Sequence, residues 1–520
     1  MQNRRDQVQA HMFVMGRLTT AMLRGDPDAP ESPQGRTNRG VVIGVVVAVL
    51  VSAGAFVLGL LKPGVKDSWK EAGTVVVDKD TGSRYLYLDG RLRPVRNYAS
   101  ARLLAGADMQ VVSVGSGSLA GVPHGAPVGI VGAPDALPAP DGLDSGPWQV
   151  CSGTAEGADT TVLAVGAPAG GGLGAGQALV VTGPDKADHL VWRGTRLRLD
   201  DERGASRSLG YDTTARVRVS AAFLNSLPAG PDLSPPDVPD RGGRGPELGG
   251  RETRIGQVFR VTAPGSDARY YLLREEGLVP LTATGAALVL GDPETREKAY
   301  GDQAPTAVEL GSDALDGRTA DAADPDLTDL PAAPPKAVRL EPGQTACARI
   351  ESGGSGTRVS VALSSPSALG PAAQPAPEGL SPACVPVDRI TVRAGGGALV
   401  HALGAGGGAV GDTVYLVTDS GMKYRVADDK ALAALGYGGG QARGLPSPLL
   451  AMLPTGPDLS RRAAVTGRAR TTAAPCGSSS DTPARGDAGN GAADGSRTSE
   501  DAAAPDRPAD RPGNADANVM

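Results

Sequence analysis

Chemistry in this 520-residue chain would have to come from four cysteines, four histidines and a few adjacent acids. Cys151 and Cys347 stand in matched contexts. Each is followed ten positions on by a threonine, Thr161 and Thr357, and then by the apolar pairs Leu163/Val165 and Val359/Val361. Two cysteines at equivalent places in a duplicated chain suit a disulfide near a pseudo-twofold axis. Closing a loop of about 195 residues this way is worth about 5 kcal/mol in the chain-entropy picture. Such a bond persists on the oxidising side of a membrane. Four cysteines allow three pairings. Cys384 lies in a Pro-rich loop and Cys476 in the C-terminal tail, and neither has a symmetry mate. No Cys-x-x-Cys and no neighbouring histidine accompanies any of the four, which argues against zinc.

Enzyme chemistry finds little to work with. The dipeptide Gly-Lys is absent, so no Walker A loop can be built. One GxGxxG occurs at residues 406–411, but it leads into a strand at 414–417, whereas dinucleotide binding needs it to open a helix. His11, His124, His189 and His401 are scattered and sit beside no Ser or Cys nucleophile motif. Asp200-Asp201 and Asp428-Asp429 close strands at turns, where solvated acids are ordinary. The net charge of −6 is spread thinly and argues against a nucleic-acid partner. No catalytic, cofactor-binding or metal residue is assigned.

The elements that position these residues are repeated. Residues 227–234 read LPAGPDLS and residues 453–460 read LPTGPDLS, 226 positions apart. The shared residues include Leu227, Pro228, Gly230, Pro231 and Asp232 in the first copy, and Leu453, Pro454, Gly456, Pro457 and Asp458 in the second. At the same offset, Leu209-Gly210-Tyr211 answers Leu435-Gly436-Tyr437. The Pro- and Gly-rich ending reads as a rigid structural stop. A second pair of repeats is fainter: Arg84-Tyr85 answers Arg269-Tyr270, and 92–95 answers 278–281. Ala101 and Leu104 likewise answer Ala287 and Leu290.

Residues 40–61 run 22 positions without a charge. As a helix they span about 33 Å, enough for a hydrocarbon core of about 30 Å. The run is too long for a signal peptide, 39 residues precede it, and no small-residue cleavage site follows. It reads as a retained single-pass anchor. Arg36 and Arg39 on one side nearly balance Lys62 and Lys66 on the other. The short tail with Arg4, Arg5, Arg17 and Arg24 then favours a cytoplasmic N-terminus. Within that tail, Val8, Met12, Met15, Leu18 and Met22 fall at helical spacing over 6–24, a stripe suited to a partner protein or the inner leaflet.

Read this way, residues 1–39 form a tail with an amphipathic helix, 40–61 the membrane helix and 62–72 a stalk. Repeat one takes 73–108, the first part of a centre 109–170, repeat two 171–236, and a linker 237–251. Repeat three takes 252–292, the second part of the centre with Pro/Gly-rich loops 293–400, and repeat four 401–460. Residues 461–520, rich in Ala, Asp, Arg, Gly and Ser, read as a disordered tail.

The N-terminal helix, the anchor, and the segments PVGIVGAPDALP (127–138), WQVC (148–151), YLVTDSGMKYRVAD (415–428), ALGYG (434–438) and LPTGPDLS (453–460) resemble EccB. EccB is the bitopic membrane component of the type VII (ESX) secretion system of high-GC Gram-positive bacteria. The resemblance covers about residues 5–462. It implies an α+β fold: one transmembrane helix, then an elongated, internally duplicated extracytoplasmic region of four small α/β repeat domains around a central β-rich domain. It carries the family's central cysteine pair onto Cys151 and Cys347. It also implies a structural role beside other secretion components and a separate motor ATPase, with self-association of the outer portion and the lipid bilayer around the anchor. The tail departs from the family pattern. ATP enters only through the family's occasional description as an ATPase, and it is the enzymatic alternative. A third class, an anchor that binds cell-wall peptidoglycan through its repeats, has few aromatics to stack on sugars.

Overall fold

The computed structural model describes residues 4–25, 33–61, 67–144, 146–155, 158–167, 171–301, 303–320, 329–353, 356–373, 380–404, 407–473 and 476. Residues 62–66 of the expected stalk and all but residue 476 of 474–520 lie outside them. Two helices come first: α1 (Arg4–Arg24) and α2 (Pro33–Leu61). The candidate membrane span is Thr37–Val57, and none of it is buried within the protein.

Repeat one consists of β1 (Val75–Asp78), β2 (Arg84–Leu88), β3 (Arg91–Pro94), α3 (Tyr98–Ala105) and β4 (Val111–Val114). The centre begins with β5 (Trp148–Ala155), β6 (Ala158–Ala164) and β7 (Gly171–Gly172). Repeat two follows as β8 (Gln177–Thr182), β9 (Asp188–Trp192), β10 (Thr195–Arg198), α4 (Ala205–Ser208) and β11 (Val217–Arg218). Repeat three is β12 (Val258–Val261), β13 (Arg269–Arg274), β14 (Gly277–Leu281), α5 (Ala283–Gly291), an extra α6 (Pro293–Tyr300) and β15 (Val308–Leu310). After β16 (Lys336–Ala337), the centre is completed by β17 (Thr345–Gly353), β18 (Gly356–Ser364) and β19 (Arg389–Thr391). Repeat four is β20 (Gly397–Leu403), β21 (Ala409–Thr418), β22 (Lys423–Val426), α7 (Asp429–Leu435) and β23 (Arg443–Pro446), with α8 (Arg461–Thr466) behind it.

All four repeats share one plan. Three antiparallel strands form a meander, a helix follows, and a fourth strand returns parallel to the first. The helices of repeats one, three and four start on equivalent side-chain caps, whereas α4 of repeat two starts on Gly204. Asn97 Oδ1 accepts from Ser100 N at 3.0 Å, Thr282 Oγ1 from Gly285 N at 3.0 Å, and Asp428 Oδ1 from Ala431 N at 2.7 Å. Each satisfies an amide that the first turn leaves orphaned.

Side chains alternate across a strand, so a sheet can feed two cores at once. In repeat four, Ala398, Val400 and Val417 enter a core shared with the central sheet, whereas Leu399 and Leu416 enter a core shared with repeat one. Repeat two is built the same way. Leu179, Val181 and Val191 face the centre, while Val180 and Leu190 share a core with Leu288 of repeat three. Repeat one therefore packs on repeat four, and repeat two on repeat three, with the six-stranded central sheet between the pairs.

Several expected boundaries shift. Repeat one does not end at 108 nor repeat three at 292, because β4 and β15 complete their sheets. Repeat four starts at Gly397, not 401, since β20 is a single strand. The ordered body also continues past 460: Ser460 caps α8, and Ala463 and Ala464 bury into the core between repeats one and four. The repeat-one match to Arg269-Tyr270 slips by one position. Tyr85 lies opposite Pro94 and Tyr271 opposite Pro280, so Tyr271 is its counterpart.

Candidate functional site

The centre of the molecule is a symmetry axis. Cys151 and Cys347, 196 residues apart, are joined by a disulfide across β5 and β17. They face each other directly in an antiparallel register, flanked by Val150 opposite Ala348 and Ser152 opposite Ala346. A twofold rotation that carries each residue to its partner 196 positions on exchanges those two flanking pairs, so the axis passes between the two cysteines. The bond lies on the sheet face turned away from repeats two and four, among Val162, Ala164, Ala362 and Leu369. Beyond the cysteines the ungapped match fails. Cys151 faces Val162 and Cys347 faces Ala362, so the offset grows from 196 to 362 − 162 = 200, because the second hairpin is longer. Thr161 is consequently not the counterpart of Thr357. Cys384 and Cys476 are also disulfide-bonded, and no cysteine is a free thiol.

The LP-x-GPDLS segments run as straps along the third strand of their sheets. In repeat two, Arg196 N donates to Pro228 O, Gly230 N to Arg196 O, and Leu233 N to Arg198 O, at 2.7–2.9 Å. In repeat four, Lys423 N donates to Pro454 O, Gly456 N to Lys423 O, and Leu459 N to Arg425 O, at 2.8–3.0 Å. Prolines 231 and 457 cannot extend the ladder, so the strap also ends the sheet. Glycine is required where the strap passes closest: a Cβ on Gly456 would lie 2.3 Å from the Tyr424 ring, and one on Gly230 2.8 Å from Leu197. The leucines anchor both ends. Leu227 and Leu453 bury in the central core, and Leu233 and Leu459 in the cores shared with the outer repeats. Asp458 pairs with Arg425 at 3.2 Å and accepts from Thr472 Oγ1 at 2.7 Å. Asp232 lines an open, acid-rich cleft with Asp185, Asp188 and Asp200.

The Leu-Gly-Tyr match has an equally structural basis. Gly210 and Gly436 take left-handed backbone (φ 76° and 95°) just after their helices. Each following tyrosine buries its ring and donates its hydroxyl to a proline carbonyl, Tyr211 to Pro335 and Tyr437 to Pro138, both at 2.7 Å. Burial raises both phenols, Tyr211 to about 12. Residue matching located these tyrosines without revealing their bonds.

The remaining candidate residues do not converge. Asp428 caps α7, and Asp201 accepts from Ser206 N at 3.0 Å, beside α4. His189 is buried in β9, and burial lowers its pKa despite an opposing backbone hydrogen bond. His124 stacks edge-on against Tyr85, and His401 lies in β20. Gly407 and Gly411 precede or begin β21, with no helix behind them. Among the described residues, no group of three or more His, Cys, Asp or Glu side chains gathers as a metal ligand set would. Sequence reading also missed two buried charges. Asp292 accepts from Arg203 at 3.2 Å and from Arg241, where repeat two meets repeat three. Lys423 donates to the carbonyls of Leu450 and Leu453 and is pushed down to about 8 by burial. The Asp-Pro-Glu start of α6 was the one local signal for the first.

A duplicated, disulfide-clamped scaffold on a membrane-anchoring helix is the class that this geometry defines. The family model for the type VII secretion system ESX-1 transport TM domain B, EccB, matches residues 2–472, and the chain belongs to that family. The Mycobacterium tuberculosis protein named ESX-2 secretion system ATPase EccB2 is 30% identical over 89% of this chain and 94% of its own length. The Mycolicibacterium smegmatis ESX-3 secretion system ATPase EccB3 is 28% identical over 88% of this chain and 89% of its own. Among solved structures, the periplasmic assembly from the ESX-5 inner membrane complex matches with a TM-score of 0.60 at 25% identity, over 75% of this chain and 94% of that one. The EccB3 dimer from the ESX-3 core complex has a TM-score of 0.59 at 24% identity, over 75% and 99%, and shows the same fold.

Proposed function

We propose that this chain is the membrane-anchored structural subunit of a type VII secretion inner membrane complex, with its N-terminus cytoplasmic and its body outside. The observation that carries this reading is that the LP-x-GPDLS straps, the Leu-Gly-Tyr latches and the facing cysteines all end in buried structural contacts at matched positions of the two halves. The disulfides and the Arg-rich tail support the orientation. On α1, Val8, Met12, Met15, Leu18 and Met22 are exposed and suit a partner subunit. The body self-associates, and a separate motor ATPase supplies the energy. Deleting the gene is expected to abolish export of ESX substrates, and the full chain to restore it. Export that continues without the gene contradicts the assignment.

The relatives' names favour a second reading, ATP hydrolysis by this chain itself. No cofactor is assigned under the structural reading. Purified full-length protein is then expected to hydrolyse no ATP above background. Hydrolysis that survives extensive purification and disappears with one point substitution would support the enzymatic alternative.

A further inference from the structure

The first residues after the anchor belong to repeat one. Trp69, in a short helical turn Asp67–Lys70, is fully buried against Val76, Leu92, Val114 and Leu119 on the outer face of the sheet. Its ring meets Tyr87 edge-on at 5.5 Å, and the Lys70 ammonium sits 5.6 Å over it. Helix α2 ends at Leu61, so even a fully extended tether holds Trp69 within about 28 Å of the helix end. The outer face of repeat one is therefore leashed close to the bilayer.

The corresponding face of repeat three is closed by its own chain. Val238, Leu248 and Ile255 of the preceding segment join its core, and Tyr271 is buried. In repeat one, the equivalent Tyr85 stays half-buried, beside half-buried Tyr87 and Val122. The sequence has only 3% aromatic residues, yet this one face presents the half-buried Tyr85 and Tyr87 over the buried Trp69, which supports them from beneath. Tyrosine favours the membrane–water boundary, where an apolar ring and a polar tip are both satisfied. Lys62, Lys66 and Lys70 recur every fourth residue along the tether, and such juxtamembrane lysines attract anionic headgroups.

We propose that the outer face of repeat one rests on the phospholipid headgroups of the leaflet from which the body emerges, with anionic lipid preferred. This does not depend on which way the anchor is oriented. No native cysteine is a free thiol, so a single introduced cysteine can be labelled cleanly. Full-length protein in nanodiscs containing phosphatidylglycerol and a shallow doxyl lipid quencher carries a fluorophore at Tyr85→Cys or Val122→Cys, or at Glu275→Cys on repeat three. Quenching at least threefold stronger at 85 and 122 than at 275 is expected. The Lys66→Glu/Lys70→Glu variant, or phosphatidylcholine alone, should reduce quenching at 85 by half or more. Equal quenching at the three sites overturns the proposal, as does quenching at 85 that neither change reduces.

Discussion

Repeats two and three form a pair, and so do repeats four and one, yet the two pairs are held by different physics. The pair of repeats two and three is consecutive in sequence and is joined by a buried ion network. Arg241 and Asp292 are both almost fully buried, and Thr295 Oγ1 lies 2.8 Å from the Arg241 guanidinium. Among the described residues, the pair of repeats one and four has no such lock. It is joined by Leu103, Leu104, Leu399, Leu416, Leu432 and Leu435, with α8 packed behind and Arg461 donating to Leu104 O at 3.0 Å. Its helices, α3 and α7, lie about four times further apart in sequence than α4 and α5, so closing them costs about 1 kcal/mol more in loop entropy. Apolar area and an additional helix offset that cost. A buried charge pair adds little net stability but punishes any partial disruption. The same repeat can therefore be joined by chain continuity plus a charge lock, or by a larger core.

The comparison breaks most sharply at Asp292. Asp292→Ala removes the buried counter-charge of Arg241, leaving it only the half-exposed Glu294 at 3.6 Å, and should destabilise by about 3 kcal/mol in chemical denaturation. Hydrogen exchange should rise in α5 and α6 while α3 and α7 keep their protection. Uniform loss would show that the pairs are not separate units. Leu432→Ala should do the reverse, removing about 2–4 kcal/mol and deprotecting α3 and α7 first. Acid should also separate the pairs. Burial raises the Asp292 pKa, but the hydrogen bonds from Thr295, Arg203 and Arg241 outweigh it, so the folded value lies below the ordinary 3.8. The stability this carboxylate contributes is present above 3.8 and is lost as pH falls through the lower folded value. Repeats two and three should then lose exchange protection before repeats one and four.

The smallest effect tests what the pairs share. Tyr211→Phe and Tyr437→Phe each remove one buried hydroxyl bond and should cost about 1 kcal/mol apiece. Measured midpoints that differ severalfold between the two would mean the latches are not equivalent.

What the sequence made legible was whatever recurs with little change. The LP-x-GPDLS straps, the Leu-Gly-Tyr latches and the facing cysteines all need particular residues at particular backbone positions, so duplication left them readable. The fourth strands did not show. β4 and β15 are three or four residues long and pair in parallel with a distant first strand, a partner that local alternation cannot name. The longer second hairpin was hidden because Thr161 and Thr357 matched by type while facing different neighbours. Arg241 falls in the expected linker and Asp292 at the expected end of repeat three, and their burial is set by two repeats meeting and not by local composition. Helix α8 begins Arg-Arg and so resembles the polar tail in composition.

The central claim is that two halves are clamped at one axis, with the bond between Cys151 and Cys347 serving both equally. Its most direct test is hydrogen exchange on the full chain with Cys151→Ala and Cys347→Ala introduced together, which leaves Cys384 and Cys476 untouched. The account predicts matched losses of protection in β8 and β20, the strands of repeats two and four that face the central sheet. Loss confined to one half would contradict it.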